Sequence, residues 1–165
     1  MNYSTILISE NFKNFKSSID QCLENFQSNK YKTIKNERNT LKIVNIEGEK
    51  FVVKSFKIPN FINKVIYTFF RKSKARRSYE YANKLVTHNI NTPKPVAYYE
   101  TKKYFLLTKS YYICEYVDYD FTFKDFIKNK HQFKLITKLF AEFTYSLHEK
   151  NINFLDNTPG NTLIV

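Results

Sequence analysis

Glycine is nearly missing from this chain, since Gly48 and Gly160 are its only two glycines in 165 residues. A glycine-rich loop that wraps its backbone around phosphate groups is therefore excluded. Cysteine is equally scarce, and Cys22 and Cys114 alone make neither a disulfide framework nor a cysteine-based zinc site. We therefore expect a protein of a reducing compartment.

Long apolar runs are missing as well. No window of the sequence approaches the roughly 18 apolar residues that a membrane-spanning helix needs. Near the N-terminus, the run Ile6-Leu7-Ile8 is shorter than the apolar core of a secretory signal. The sequence thus predicts a cytoplasmic protein that is not exported and that meets a membrane only from its side, at the inner face.

Acidic residues are few for the number of basic ones: 15 Asp and Glu stand against 27 Lys and Arg, a formal charge of +12. Such an excess indicates a polyanionic partner, which leaves open a nucleic acid, an anionic membrane surface or a phosphorylated small molecule. The hydrophobic fraction of 42% is typical of a globular protein and excludes a disordered chain. The length predicts one domain, or one domain and part of another.

What the chain does have is periodicity in its apolar residues, which predicts an α+β fold. Spacings of three and four residues predict helices, while runs of β-branched and aromatic residues predict strands, with a hairpin turn at Gly48. The predicted helices cover residues 10–27, 61–70, 73–88, 122–128 and 132–149. The predicted strands cover residues 31–35, 41–46, 50–56, 95–100, 103–108, 111–117 and 162–165.

Four polar residues stand in an order that suits phosphoryl transfer. Lys54 lies in an apolar strand, where an unpaired ammonium group would be costly, and Glu80 lies in a later helix that could reach it. Asp156 and Asn161 follow the long helix at the spacing Asp-x-x-x-x-Asn, which in kinases supplies a base for the attacking hydroxyl and a ligand for Mg²⁺. Each residue also has an ordinary interpretation, because strand lysines and helix glutamates commonly face solvent and Asn-Thr-Pro-Gly-Asn is common in turns.

Three segments resemble the lipopolysaccharide kinase (Kdo/WaaP) family of bacteria, whose members have a protein-kinase-like fold. They are Arg71-Lys-Ser-Lys-Ala-Arg-Arg-Ser-Tyr-Glu-Tyr-Ala82, Asn91-Thr-Pro-Lys-Pro-Val96 and Phe154-Leu-Asp-Asn-Thr-Pro-Gly-Asn-Thr-Leu-Ile164. The resemblance covers about residues 31–165. It implies an N-terminal helical extension over residues 1–30, a kinase-like N-lobe with a small antiparallel sheet over residues 31–117, and the first part of a mainly helical C-lobe over residues 118–165.

The resemblance also implies roles for particular residues, with ATP and Mg²⁺ as cofactors. Lys54 would bind the ATP phosphates with Glu80 as its ion-pair partner, Asp156 would be the catalytic base, and Asn161 would be a metal ligand. The hinge of Glu115, Tyr116 and Val117 would meet the adenine through backbone groups, and Arg38 would supply charge in the turn that replaces the glycine-rich loop. The acceptor would be a sugar hydroxyl of the lipopolysaccharide core or of another anionic glycolipid.

The chain departs from the family pattern in ways that affect activity. Phe154-Leu155 stands where the family has His-Arg before the catalytic aspartate, and the second metal-binding aspartate expected beyond Val165 is missing. We therefore expect the 165 residues alone to bind Mg-ATP weakly and to turn over nothing. Two alternatives stay open: an inactive member of the same fold, and a non-enzymatic basic nucleic-acid-binding module, although no known nucleic-acid motif is present and no nucleic acid is expected as partner.

The segment 61–77 combines an apolar stripe with five basic residues among the seven of Arg71–Arg77. The stripe is expected to pack as an ordinary core helix. The basic run is expected to face an anion, either lipid or acceptor phosphates, because helices of this composition lie at anionic membrane surfaces.

Overall fold

The computed structural model describes residues 2–28, 30–58, 71–104, 106–129, 133–153 and 159–165. The chain divides into two compact units, Met1–Tyr116 and Val117–Val165. The first unit is α+β, with one antiparallel sheet covered by helices, and the second is mainly helical. The predicted α+β fold class is confirmed, and the helix predicted over residues 61–70 lies outside the described residues.

The first unit is built on a six-stranded antiparallel sheet in the order β1-β5-β6-β4-β3-β2. Its strands are β1 Asn2–Ile8, β2 Lys32–Asn36, β3 Asn39–Ile46, β4 Glu49–Phe56, β5 Pro95–Lys103 and β6 Leu106–Glu115. Strand β4 lies between β3 and β6, so that Lys54 is opposite Leu41 on one side and Tyr112 on the other. The lysine is therefore in the middle of the sheet.

The β3–β4 hairpin forms where the sequence predicts it. Glu47 and Gly48 both have positive φ angles, 52° and 90°, which is the backbone of the tight turns that match the twist of a hairpin. The Asn45 side chain accepts a hydrogen bond from the Gly48 N–H at 3.0 Å. A glycine is needed at position 48 because a side chain there would be strained at this φ.

One face of the sheet is covered by the N-terminal segment, which continues from β1 into a 3₁₀ helix, Glu10–Phe15, and helix α1, Lys16–Glu24. The rings of Phe12 and Phe15 meet Phe51 of β4 edge-on, with ring centroids 6.1 and 5.7 Å apart. Ile19 and Phe26 are fully buried in the same cluster. The apolar periodicity of residues 10–27 thus predicted the buried side of this segment.

The other face of the sheet is covered by helix α2, Lys74–Thr87. Ser73 caps the helix by accepting a hydrogen bond from the Arg76 N–H at 3.1 Å. Ala75 and Tyr79 are buried against Phe56 of β4 and Tyr98 of β5. The helix predicted over residues 73–88 is therefore confirmed.

Two features of the first unit differ from the sequence prediction. Strand β1 was not predicted, and it pairs with β5 along its whole length, from Asn2 opposite Lys103 to Ile8 opposite Ala97. In place of the three strands predicted over residues 95–117, the structure has two long strands, β5 and β6. The chain turns at Tyr104, where φ is 49°, and β6 continues through Ser110 without a break.

The second unit contains helix α3, Phe123–Asn129, helix α4, Phe133–Glu149, a 3₁₀ turn, Pro159–Asn161, and two short paired strands, β7 Phe121–Thr122 and β8 Leu163–Ile164. Thr122 and Asp125 form a reciprocal cap at the start of α3, in which the Thr122 hydroxyl donates to the carboxylate at 2.6 Å and accepts from the Asp125 N–H at 3.2 Å. Phe123 stacks on Phe140 of α4, with ring centroids 4.2 Å apart. These contacts give the unit a small core of its own.

Among the described residues, every helix is too short or too polar to cross a bilayer.

Candidate functional site

Lys54 lies on the face of the sheet that α2 covers. Side chains alternate along a strand, so Lys54 shares its face with Phe56, which packs against Ala75 and Tyr79 of α2. The Lys54 side chain is half-buried, and its Nζ lies 5.2 Å from the centroid of the Phe56 ring. The apolar strand that the sequence predicts around Lys54 is present as β4.

Glu80 is held by two cations of the basic run. Its Oε1 accepts from Lys72 Nζ and from Arg76 Nε, both at 2.9 Å, and its Oε2 accepts from Lys72 Nζ at 2.8 Å. The hydrogen bond from Lys72, followed by that from Arg76, lowers the pKa of Glu80, and the same carboxylate raises the pKa of Arg76. The ion pair of Glu80 with Lys54 implied by the resemblance stays a prediction.

Two cations of the basic run 71–77 take part in this ion-pair network. Lys72 and Arg76 share one carboxylate, so part of the positive charge of the run is neutralised by Glu80. The spacing of four residues between Arg76 and Glu80 is the helical ion-pair spacing, and it could have predicted this contact from the sequence.

The predicted hinge follows β6, at the point where the chain passes from the first unit into the second. The Glu115 N–H donates to the carbonyl oxygen of Lys94, and the Tyr116 N–H donates to that of Lys50, each at 3.0 Å. Two of the three hinge N–H groups are therefore used to hold β6 against its neighbours. Of the three predicted hinge residues, Val117 is therefore the one whose N–H group we would test as a hydrogen-bond donor to adenine.

Cys114 precedes the hinge and is one residue that the sequence reasoning did not include in the site. It follows Tyr112, which is opposite Lys54, by two positions and so lies on the same face of the sheet. Burial raises the pKa of its thiol to about 12, and the thiol contacts the Val52 carbonyl oxygen at 4.0 Å. At neutral pH Cys114 is thus a neutral, buried side chain on the same face of the sheet as Lys54.

Arg38 is exposed at the tip of the turn between β2 and β3. The turn is closed by a hydrogen bond from the Glu37 N–H to the Asn39 carbonyl oxygen and by one from the Thr40 hydroxyl to the Asn36 side chain. Arg38 therefore lies on a hydrogen-bonded turn without glycine, and its role towards ATP phosphates stays a prediction.

Asn161 ends the 3₁₀ turn that precedes β8 and is exposed. It is positioned by the pairing of β8 with β7, in which Leu163 is opposite Thr122. Asp156, the predicted base, lies outside the described residues. Within the described part of the chain, no cluster of three or more His, Cys, Asp or Glu side chains is placed to hold a metal ion, and Asn161 offers Mg²⁺ a single amide oxygen. These residues alone do not fit a magnesium site.

A second feature that sequence reasoning missed is the contact that fixes α2 to the N-terminal segment. The hydroxyl groups of Ser9 and Tyr79 are hydrogen-bonded at 2.8 Å, and the Ser9 hydroxyl also donates to the Pro95 carbonyl oxygen at 2.8 Å. The Ser9 N–H donates to the Val96 carbonyl oxygen at the same distance. Ser9 thus connects β1, β5 and the helix that carries Glu80.

Comparison of the chain with protein-family models, with curated proteins and with solved structures finds no match in any of the three.

Proposed function

We propose that the chain is an ATP-dependent phosphotransferase with a protein-kinase-like fold, acting in the cytoplasm on a sugar hydroxyl of a lipopolysaccharide-core or related glycolipid acceptor. The single observation that carries the proposal is the position of Lys54. It lies on the third strand of the meander β2-β3-β4, on the face covered by α2, and α2 contains Glu80. A lysine on this strand and a glutamate on the next helix are the phosphate-binding pair of kinases.

The partners of Glu80 are compatible with this pairing. A carboxylate has about four lone-pair positions, and Glu80 uses three of them for Lys72 and Arg76. Its Oε2 accepts only one of these three hydrogen bonds, so a further position on this oxygen is available to an ammonium group. Pairing with Lys54, as proposed, would therefore not require Glu80 to give up its hydrogen bonds with Lys72 and Arg76.

The chemistry divides the roles between the residues. The acceptor hydroxyl oxygen bonds to the γ-phosphorus of ATP while the bond from that phosphorus to the bridging β,γ-oxygen breaks, and ADP leaves. Lys54 neutralises charge on the phosphates, and Asp156 takes the hydroxyl proton. Most of the acceleration in such a step comes from positioning and charge neutralisation, so the lysine matters more for nucleotide binding and the aspartate for turnover. Mg²⁺ would neutralise phosphate charge when bound, and the described residues do not identify its ligands.

The identity of the acceptor depends on the resemblance to lipopolysaccharide kinases alone. An inactive member of the same fold is the second candidate, because Phe154-Leu155 stands where the family has His-Arg before the catalytic aspartate. Both candidates predict nucleotide binding, so binding is the first property to measure.

The experiment is a calorimetric titration of the full chain with Mg-ATP. Lys54→Met should weaken binding at least tenfold, because an ammonium–phosphate contact is removed from a half-buried position. Lys109→Met, which changes an exposed lysine of the neighbouring strand β6, is the matched control and should bind as the parent does. Equal affinity of the parent and Lys54→Met, or no nucleotide binding by the parent, would contradict the proposal. Turnover on a core-sugar acceptor would exclude the inactive candidate.

A further inference from the structure

Cations that are far apart in the sequence are brought together at one end of the six-stranded sheet. Arg38 precedes Asn39, which is opposite Phe56, and the Lys57 N–H donates to the Asn39 side chain at 3.3 Å. The register that places Ser55 opposite Tyr111 brings the start of β6 to the same end, and β5 ends there at Lys103. We call this surface the basic end, and its cations are Arg38, Lys57, Lys102, Lys103 and Lys109.

These cations are accessible, while the acidic groups nearby are neutralised or buried. Lys102 is half-buried and the other four side chains are exposed. The acidic groups are Glu37, which pairs with Lys35 at 3.1 Å, Glu80, which pairs with Lys72 and Arg76, and Glu100, which is buried. The opposite end of the sheet has the exposed acids of the β3–β4 turn, Glu47 and Glu49, and Glu115 close to Lys94. The five cations of the basic end therefore lie at the end of the sheet away from the exposed acids of the β3–β4 turn.

The tip of the β5–β6 hairpin adds an aromatic side chain to this surface. Tyr104 is 70% exposed, its backbone is fixed at a φ of 49°, and Lys103 Nζ lies 5.8 Å from the centroid of its ring. Tyrosine beside lysine is typical of side chains that anchor proteins at the membrane–water boundary, where the ring lies at headgroup level and the ammonium group meets phosphates.

The arrangement of the two turns favours a flat anionic surface over a nucleic acid. The β2–β3 turn and the β5–β6 turn project from the same end of one sheet, three strands apart, which is about 14 Å at the usual strand spacing. Ser55 is opposite both Thr40 and Tyr111, and beyond this level the β5–β6 hairpin extends further than the β2–β3 turn. Both tips therefore touch one plane when the sheet is tilted against it. Proteins that bind single strands instead align aromatic side chains along a groove.

We propose that the basic end docks the first unit on the surface of an anionic phospholipid bilayer, with Tyr104 at headgroup level and the five cations on lipid phosphates. The proposal does not require phosphoryl transfer. It moves the expected membrane contact from the basic run 71–77 to the turns of the sheet, where the cations are not shared with Glu80.

The test is co-sedimentation of the full chain with vesicles of phosphatidylcholine and phosphatidylglycerol, without nucleotide. Each cation near such a surface changes the partition coefficient about fivefold. A variant with Arg38→Glu, Lys103→Glu and Lys109→Glu should therefore lose binding by more than 100-fold. The matched control carries Lys50→Glu, Lys84→Glu and Lys94→Glu, at exposed positions elsewhere on the first unit. Its net charge equals that of the first variant, and its vesicle binding should weaken only a few-fold. A Tm within a few degrees of the parent's, measured by thermal unfolding, verifies that both variants are folded.

A third variant tests the aromatic contact. Tyr104→Ser should weaken vesicle binding several-fold while leaving its salt dependence unchanged, because it removes ring insertion and no charge. Equal losses in the two triple variants would show an effect of net charge alone and would overturn the proposal. So would failure of the parent to bind these vesicles, or tighter binding to a single-stranded oligonucleotide that the basic-end variant abolishes.

Discussion

The buried ammonium group of Lys42 should be a major source of stability for the first unit. Lys42 is 6% exposed, and its Nζ donates to the carbonyl oxygens of Phe26 at 2.7 Å and Ser28 at 2.9 Å. It also lies 5.1 Å from the centroid of the Phe26 ring. The lysine thus attaches the segment after α1 to the sheet, and it satisfies two carbonyl groups that otherwise have to stay solvated.

Replacing Lys42 by methionine keeps most of the side-chain volume and removes the charge. Hydrogen bonds from a charged donor contribute about 1.5–3 kcal/mol each, and the carbonyl groups left behind lose their partner. Relief of ammonium desolvation offsets part of this loss. We expect the free energy of unfolding to fall by about 3 kcal/mol, which corresponds to a decrease of roughly 10 °C in Tm for a domain of this size.

The assay is urea unfolding followed by circular dichroism, with thermal unfolding as a second measurement. Lys32→Met, at an exposed position of β2, is the matched control and should stay within about 0.5 kcal/mol of the parent. The reasoning is refuted if Lys42→Met unfolds at the same urea concentration as Lys32→Met. A more stable Lys42→Met would likewise show that desolvation of the ammonium group outweighs its two hydrogen bonds.

Two further predictions concern the other face of the sheet. The pKa of Cys114 is about 12 in the folded chain against an ordinary 9.0, so folding favours the neutral thiol, and stability should be full below pH 9 and fall from there towards pH 12. Urea midpoints measured at pH 7.5 and 10.5 should show this decrease in the parent and a smaller one in Cys114→Val, and equal decreases would count against it. Tyr79→Phe should lower the free energy of unfolding by about 1 kcal/mol, because the Ser9 hydroxyl loses a partner. Ser9→Ala in the Tyr79→Phe background should then cost less than it does alone, and simple additivity of the two changes would exclude the coupling.

Local patterns were enough to predict most elements of the first unit. The β3–β4 hairpin followed from Gly48 between two apolar runs, and α2 from its spacing and the proline after it. Strand β1 could not be predicted in this way, because it is an edge strand of the described sheet and its partner, β5, lies far along the chain. The turn at Tyr104 lacks glycine, proline and asparagine, while Ser110, which resembles a turn residue, is buried opposite Glu100. Strand pairing decides both cases, between distant segments for β1 and within the β5–β6 hairpin for Tyr104 and Ser110.

The site could be predicted in part for the same reason. The position of Lys54 on the α2 face follows from alternation along β4 and from the helix that comes next. The partners of Glu80 depend on where Lys72 lies relative to α2, which a spacing of eight residues does not determine. Lys42 looked like any strand lysine, and its burial results from α1 and the residues after it packing over β3.

The pairing of β1 with β5 has a consequence for synthesis of the chain on the ribosome. Asn2–Ile8 is made well before its strand partner Pro95–Lys103, and the described strands β2, β3 and β4 and helices α1 and α2 are made in between. At roughly 5–20 residues per second, the first strand waits about 5–20 s for its partner. During that interval Ile6, Leu7 and Ile8 form an unpaired apolar strand, which is the kind of segment that chaperones bind. Strand β1 therefore stays exposed to such binding until β5 has been synthesised and pairs with it.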